Sequence, residues 1–406
     1  MQFNPQVHLL KDEGAYRVLA AAQALEKQGH NVVHLEIGQP SFPTPAWVAT
    51  AGVEAIQQGF TKYTNPSGVL ELKQAIAKHF SQTRHVVVSH DSVVVGPGAK
   101  PGLWFGVSSI VTRLDEVLLP DPGFPSYENM IKQLDCIPVR YNALAVDLAQ
   151  ELASKITLKT KAIILNSPSN PTGRVYTKLE LEQVAIMLHQ FPHVWIVSDE
   201  IYCHLTYEED HEKEDPNTFP TCPSIASFPG MLNRTLVVDG FSKTFQMTGW
   251  RLGFVICPPT LAERLHLLMT HAVGCTASFT QKAGIVALEH PQAAITVRHT
   301  VEEYKRRRDY VVKRLNDMPG VECEPPAGAF YAFAKIIGGS ARELCDKCLN
   351  QGHVAILPGG DFGQAGEEYI RISYVGDMDV LKEGLDRMER VILDEQDEEN
   401  GGCVMV

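Results

Sequence analysis

The chain has 406 residues, enough for one large domain and a smaller one with ample core. Hydrophobic content of 44% and charged content of 21% are ordinary for a globular protein, and no run approaches the roughly 20 apolar residues of a membrane span. The net charge of −12 is local: Glu208–Asp215 carries six acids and one lysine, and Asp394–Glu399 carries five acids, so the remainder is near neutral and holds no basic stripe for a nucleic acid.

In chain order, a helix is expected around Ala15–Gln28, within an N-terminal segment (residues 1–45) that packs on the smaller domain. Short apolar runs at Ser92–Val95, Glu116–Leu119, Lys161–Leu165, Val194–Ser198, Leu236–Val238 and Leu252–Ile256 read as strands. They alternate with helix-like stretches such as Pro101–Val111, Lys178–Gln190 and Leu261–Val273, a pattern of α/β architecture with a mainly parallel sheet over residues 46–290. After about residue 290 the regularity changes. A charged helical run, Val297–Leu315, ends at Pro319-Gly320, and short strands follow at Gly328–Lys335, His353–Leu357 and Tyr369–Tyr374, which suggests a smaller α+β domain over 291–393. Residues 394–406 read as an acidic, disordered tail.

Nine scattered cysteines without disulfide-like spacing point to a reducing compartment, and the first residues lack a basic-then-apolar leader, so a cytoplasmic protein is expected. Cys345-Asp-Lys-Cys348 is formally a C-x-x-C, but it lies in a helical stretch with no second pair, and no metal site is expected there. Cys403-Val-Met-Val406 has the outline of a prenylation box, yet valine is not a usual last residue and the upstream charge is acidic; a frayed tail is the simpler reading.

The unusual sequences fall just after strands: Gly96-Pro-Gly-Ala-Lys100, Asp121-Pro-Gly-Phe-Pro125, Asn166–Gly173, Asp199-Glu-Ile-Tyr202 and Ser242-Lys243. In open parallel sheets ligands bind outside the carboxyl ends of the strands, so these five loops are expected to share one crevice. The run Asp239-Gly-Phe-Ser-Lys-Thr-Phe-Gln-Met-Thr-Gly-Trp-Arg-Leu-Gly253 is the most telling. Lys243 can form a Schiff base with a carbonyl, while the Ser242 hydroxyl and the Arg251 guanidinium can hold a phosphate, the combination suited to pyridoxal phosphate. The bland alternative is a surface Ser-Lys turn.

Asp199 ends a buried strand and needs a cation or donor, which a protonated pyridine nitrogen would provide; otherwise it caps the next helix. Tyr202 and Asn170 can bond the ring oxygen of the same cofactor, or Asn170 merely shapes its proline-rich turn. Phe124 can stack on the ring or simply pack. Gly98 and Ala99 open a helix whose backbone N–H groups suit a phosphate. Arg371 alternates with apolar residues on a strand, where it pairs either with a substrate carboxylate or with a structural acid. Trp104, Phe105 and Tyr16 are left between a substrate pocket and the core.

Together these segments resemble the class I and II aminotransferases, fold-type I pyridoxal-phosphate enzymes, over about residues 30–390, nearest the bacterial-type aspartate and alanine branch. The resemblance rests on Glu36-Ile-Gly-Gln-Pro-Ser-Phe-Pro-Thr-Pro45, Tyr63-Thr-Asn-Pro-Ser-Gly68, Gly98-Ala-Lys100, Asn166–Gly173, Ser198-Asp-Glu-Ile-Tyr202, the lysine run and Arg371-Ile-Ser-Tyr374. It implies a large domain with a mainly parallel seven-stranded sheet plus a smaller α+β domain. Lys243 would be the Schiff-base lysine and proton shuttle, with Asp199 on the pyridine nitrogen, Asn170 and Tyr202 on the ring oxygen, and Phe124 stacked on the ring. Gly98, Ala99, Ser242 and Arg251 would hold the phosphate, with Tyr63 arriving from the neighbouring subunit of a homodimer. Gly38 and Arg371 would bind the substrate carboxylate. Lys100 falls among the cofactor-binding loop residues, at a position where some relatives bind a distal carboxylate, or it is only a helix-start lysine.

Two features depart from the pattern. Gly240 stands where many members have a serine or another small residue, so one phosphate contact is missing, and the acidic stretch 208–215 is an insertion of unread purpose. The activity implied is ping-pong transfer of an amino group from an L-amino acid to a 2-oxo acid, 2-oxoglutarate or pyruvate. The rival readings are a lyase or cyclase of specialised amino-acid metabolism on the same fold, and a cofactor-binding sensor, for which the roughly 30 residues before Gly38 leave no room for a DNA-binding domain.

Overall fold

A computed structural model describes residues 5–207 and 215–401, with side chains placed up to residue 394. Its centre is a seven-stranded sheet of β1 (Val93–Gly96), β2 (Glu116–Asp121), β3 (Ile137–Asn142), β4 (Thr160–Asn166), β5 (Trp195–Asp199), β6 (Thr235–Gly240) and β7 (Gly253–Ile256). Their spatial order is β1-β7-β6-β5-β4-β2-β3. Pairs within β3 to β6 and β2 are parallel, whereas β7 is antiparallel to both β1 and β6.

The apolar runs form strands because both faces of the sheet are covered, so every residue of β1 and β6 is buried. Alternate residues go to opposite layers. Ile163 and Leu165 pack against Leu181, Val184 and Leu188 of helix Lys178–Leu188, while Ala162 and Ile164 face the layer that holds Leu103 and Val107 of helix Ala99–Ile110 and Leu265 and Met269 of helix Pro259–Ala272. Helix Lys178–Leu188 starts at a capping box in which the Thr177 hydroxyl accepts from Glu180 N and the Glu180 carboxylate accepts from Thr177 N.

One strand escaped the sequence reading. β3 lies at the sheet edge, its residues are mostly half-exposed, and it contains Pro138, which an edge tolerates because no ladder donor is needed on its outer side. A second correction concerns His353–Leu357, read as one strand. Val354–Ala355 pairs in parallel with Val33–His34, and after Ile356 the chain changes sheets, so that Leu357–Pro358 pairs with Tyr369–Ser373. The latter belongs to a four-stranded antiparallel sheet with Tyr331–Ile336 and Val321–Glu322. Helix Gly14–Lys27 lies beside it through Ala22, Val18 and Leu25 against Leu349 and Ala355.

The last helix runs Met378–Gly401, past the point where the acidic tail begins in sequence. Residues 208–214 of the acidic insertion and the Cys403 motif lie outside the described residues. Cys345 and Cys348 are buried in the core from helix Ala341–Asn350.

Candidate active site

The antiparallel strand β7 explains how the lysine run and the glycine loop meet. Gly253 starts β7 in register with both Gly96, the end of β1, and Gly240, the end of β6. A Cβ on Gly253 would come within 2.4 Å of the Gly98 carbonyl carbon, so only glycine lets these strand ends close together. Arg251, two residues earlier, therefore stands over the Gly98 loop, and a Cβ on Gly98 would lie 2.4 Å from its Nη2. Gly98 has φ of 94° and Arg251 itself has φ of 53°, both in the left-handed region. The guanidinium donates to the carbonyls of Thr248 (2.9 Å) and Pro97 (3.3 Å), and Ala99 opens the helix beside it.

Lys243 sits in the single turn Phe241–Thr244 that follows β6, with Ser242 buried next to it. Its Nζ donates to the carbonyl of Gly38 at 2.7 Å and lies 5.7 Å from the centre of the Phe330 ring. Burial, together with the nearby charges of Arg371, Arg251 and Lys100, pulls its pKa down to about 8, so a usable fraction of the amine is neutral near physiological pH.

Asp199 ends β5 in register with Asn166 at the end of β4. Its Oδ2 accepts from the Tyr127 hydroxyl at 2.7 Å and its Oδ1 from Ile201 N at 3.3 Å, while burial raises its pKa to about 6. Asn166 ties the two strand ends by donating from Nδ2 to the Asp199 carbonyl (3.1 Å) and accepting from Asn170 N (2.9 Å). Tyr202 is buried, and its hydroxyl is 2.8 Å from that of Tyr331. The Tyr331 hydroxyl also reaches Gly38, where a Cβ would meet it at 2.0 Å.

Arg371 is 3% exposed on an inner strand of the smaller sheet. Its Nη1 donates to Asn170 Oδ1 at 3.1 Å and its Nη2 to the Glu36 carbonyl, both neutral acceptors, and its Nε has no hydrogen-bond partner. The Tyr331 and Phe362 rings flank the guanidinium at 4.4 and 4.9 Å. A buried guanidinium held this way has donor capacity left for an anion.

Lys100 is exposed and pairs with Glu13, and its Nζ stands 5.0 Å from the Phe124 ring centre. Phe124 also meets Tyr127 edge-on at 5.6 Å. Tyr63 is 93% exposed, standing in solvent in the single chain. Trp104 and Phe105 pack against the core, and Tyr16 is 63% exposed.

Sequence reading missed Tyr127, Tyr331, Asn166 and Glu13. Asn166 alone carried a signal, as the strand-end residue of a loop already singled out. It also missed a buried group in which Cys203, His204 and Asp239 bring ligand-type atoms within 4.8 Å of one another. Cys203 donates to Asp239 Oδ2 at 3.3 Å, whereas His204 bonds outside the group, to His79 (2.9 Å) and the Pro220 carbonyl (2.8 Å), so each of the three already has a partner.

The residues at the crevice fit a phosphate-bearing aldehyde with a basic ring. Gly98 and Arg251 form a cradle that a Cβ would fill, Lys243 offers an amine of lowered pKa, and Asp199 is a buried carboxylate for a ring cation.

The family description "Aminotransferase class I and II" matches residues 30–388. The chain belongs to this family. It is 35% identical to the aspartate aminotransferase of Pyrococcus horikoshii, over 89% of this chain and 91% of that protein. It is 34% identical to aromatic-amino-acid aminotransferase 2 of Thermococcus litoralis, over 97% of this chain and 98% of that protein. Among solved structures, the aspartate aminotransferase of Thermus thermophilus with maleate superposes with a TM-score of 0.89 at 31% identity, covering 96% of this chain and 100% of that one. This aminotransferase has the fold-type I architecture and moves an amino group from an amino acid to a 2-oxo acid, and its relatives do not favour the lyase or cyclase reading.

Proposed function

We propose that the enzyme uses pyridoxal 5′-phosphate bound through Lys243 and transfers the amino group of an L-amino acid to 2-oxoglutarate or pyruvate by a ping-pong route. The observation that carries this reading is the gathering of cations around Lys243: Arg371, Arg251 and Lys100 all act on its amine. Arg251 and Arg371 donate to neutral oxygens, which leaves the crevice charged for two anions, a phosphate and a substrate carboxylate.

The phosphate would fall to Gly98, Ala99, Ser242 and Arg251, with the neighbouring Lys100, and Asp199 would hold the ring nitrogen. Asn170 and Tyr202 would serve the ring oxygen, and Phe124 one ring face. When bound, the cofactor supplies an aldehyde for an amine and a protonated ring that takes up the electrons of a deprotonated Cα. Asp199, whose carboxylate the Tyr127 hydroxyl holds in place, would stand as the counter-charge of the ring nitrogen. Arg371 and the Gly38 backbone hold the substrate α-carboxylate. Lys243 Nζ, an amine whose pKa is lowered to about 8, would hold and move the substrate Cα proton.

The exposed Tyr63 supports a homodimer in which its hydroxyl completes the partner's phosphate site. None of the eight described cysteines is in a disulfide, which supports a cytoplasmic location. No helix among the described residues is long and apolar enough to cross a membrane.

The test is single-turnover mixing of the cofactor-loaded protein with a panel of amino acids and no acceptor. One 2-oxo acid released per site is the expected result. Release of ammonia, a lost leaving group or a cyclised product would overturn the transaminase reading.

A further inference from the structure

Tyr331 opens strand Tyr331–Ile336 of the smaller sheet, yet its hydroxyl ends against the large domain, 2.8 Å from that of Tyr202. The backbone just before it is fastened to the loops that carry the site. Gly328 N donates to the Gly173 carbonyl (2.9 Å), Ala329 N to that of Leu205 (2.8 Å), and Tyr207 N to that of Ala327 (2.9 Å). Gly38 closes over the hydroxyl from the other side, since a Cβ there would lie 2.0 Å from Tyr331 Oη and 2.8 Å from its Cζ. The Tyr331 hydroxyl is therefore held in one place and has no room to turn toward another partner.

The two phenols share one hydrogen bond but own two protons. Burial raises both above the ordinary tyrosine range, so both stay protonated at working pH. Neither hydroxyl has another hydrogen-bond partner among the described residues. One proton fills the contact between them, and the other is left for a third group. Which phenol keeps the spare proton follows from the charges around the pair. The Arg371 guanidinium lies 4.4 Å from the centre of the Tyr331 ring, where a cation draws electrons from the phenol and makes its O–H the better donor. Asp199 acts on Tyr202 in the opposite sense, making its oxygen the better acceptor.

We infer that Tyr331 is a positioning residue for Tyr202: its hydroxyl donates to Tyr202 Oη and so directs the spare proton from Tyr202 to the ring oxygen of the cofactor. The inference rests on the crevice at Lys243 being the pyridoxal-phosphate site. It also gives Arg371 a second task, because the guanidinium assigned to the substrate carboxylate is the same one that polarises Tyr331. Gly38 is then required to be glycine by the Tyr331 hydroxyl as well as by its place beside Lys243.

The test is a pH titration of the visible absorbance of the cofactor-loaded enzyme, in the wild type, Tyr202→Phe, Tyr331→Phe and the double variant. A donor on the ring oxygen favours the deprotonated form of the bound cofactor, so losing that donor raises the midpoint. Tyr202→Phe should raise it by about one unit. Tyr331→Phe keeps the ring beneath Arg371 but leaves Tyr202 without its own donor, and should raise the midpoint by about 0.3 unit. The double variant should titrate with Tyr202→Phe, because the effect of Tyr331 passes through Tyr202. Tyr331→Met also lacks the donor and repeats the measurement should the phenylalanine form be unstable. A lowered midpoint in Tyr331→Phe would make Tyr331 the acceptor of the Tyr202 proton and overturn the inference. An unchanged midpoint, or a further rise in the double variant, would overturn it too. A wild-type protein that takes up no cofactor would instead defeat the reading of the crevice, a distinct result.

Discussion

The Arg371 guanidinium donates to Asn170 Oδ1 across 3.1 Å, joining a strand of the smaller sheet to the loop after β4. On the proposed assignment, the substrate and cofactor contacts would then be one hydrogen-bonded unit. Arg371→Lys keeps the charge but loses the fork, and should raise KM for amino acid and 2-oxo acid together by about a hundredfold, with kcat falling less. Steady-state kinetics with both half-reactions measure this. A variant that loses kcat alone would place Arg371 outside substrate binding.

Asp199 is expected to make the cofactor-free protein sensitive to pH. Its folded pKa, about 6, is above the ordinary value of 3.8, so the folded state holds this proton more tightly than the unfolded one. The resulting stability is present below about pH 4 and is lost as the pH rises through about 6. Asp199→Asn removes the penalty, and should leave the cofactor-free protein about 3 kcal/mol more stable at pH 7 and little changed at pH 4. Chemical denaturation at the two pH values tests this. The same variant should transaminate at least about a hundredfold more slowly, because a neutral amide cannot keep the ring protonated.

Tyr127 is a positioning residue for that carboxylate, with its hydroxyl 2.7 Å from Asp199 Oδ2. Tyr127→Phe removes a hydrogen bond to a charged acceptor, worth about 1.5–3 kcal/mol, and should weaken cofactor retention by roughly tenfold or more. The Asp199 titration should move upward in the cofactor-free variant, a shift that a purely structural role for Tyr127 would not produce.

The strands were legible wherever both faces are covered. β6 is buried at every residue, and its composition alone marks it. β3 was not, because an exposed edge strand with a proline carries no continuous apolar signal. The site divides the same way. Lys243, Asp199, Asn170 and Arg371 stand in recognisable local contexts, after strands or between apolar neighbours. Tyr127 and Glu13 gain their meaning only from partners 72 and 87 positions away, a distance that local pattern does not span.

Gly98→Ala probes the phosphate cradle. The left-handed φ of 94° and the 2.4 Å approach to Arg251 Nη2 both act against a Cβ, and the guanidinium must move aside. Cofactor affinity should drop by about tenfold or more, with the melting temperature of the cofactor-free protein lowered by about one degree, from about 1 kcal/mol of backbone strain. Retention of full affinity would remove Gly98 from the cradle.

Lys243 sets the pH dependence of loading. Its pKa of about 8 means that the neutral amine grows with rising pH, so capture of pyridoxal phosphate by the cofactor-free protein should accelerate through about pH 8 and then level off. Stopped-flow absorbance follows this directly, and a rate flat between pH 7 and 9 would contradict the lowered pKa.

The most direct test of the central assignment is mass spectrometry of the proteolysed holoenzyme after borohydride reduction. A single reduced cofactor adduct on the peptide containing Lys243, absent from Lys243→Ala, is the expected result. An adduct on Lys100 or another lysine, or none on a protein that transaminates, would contradict it.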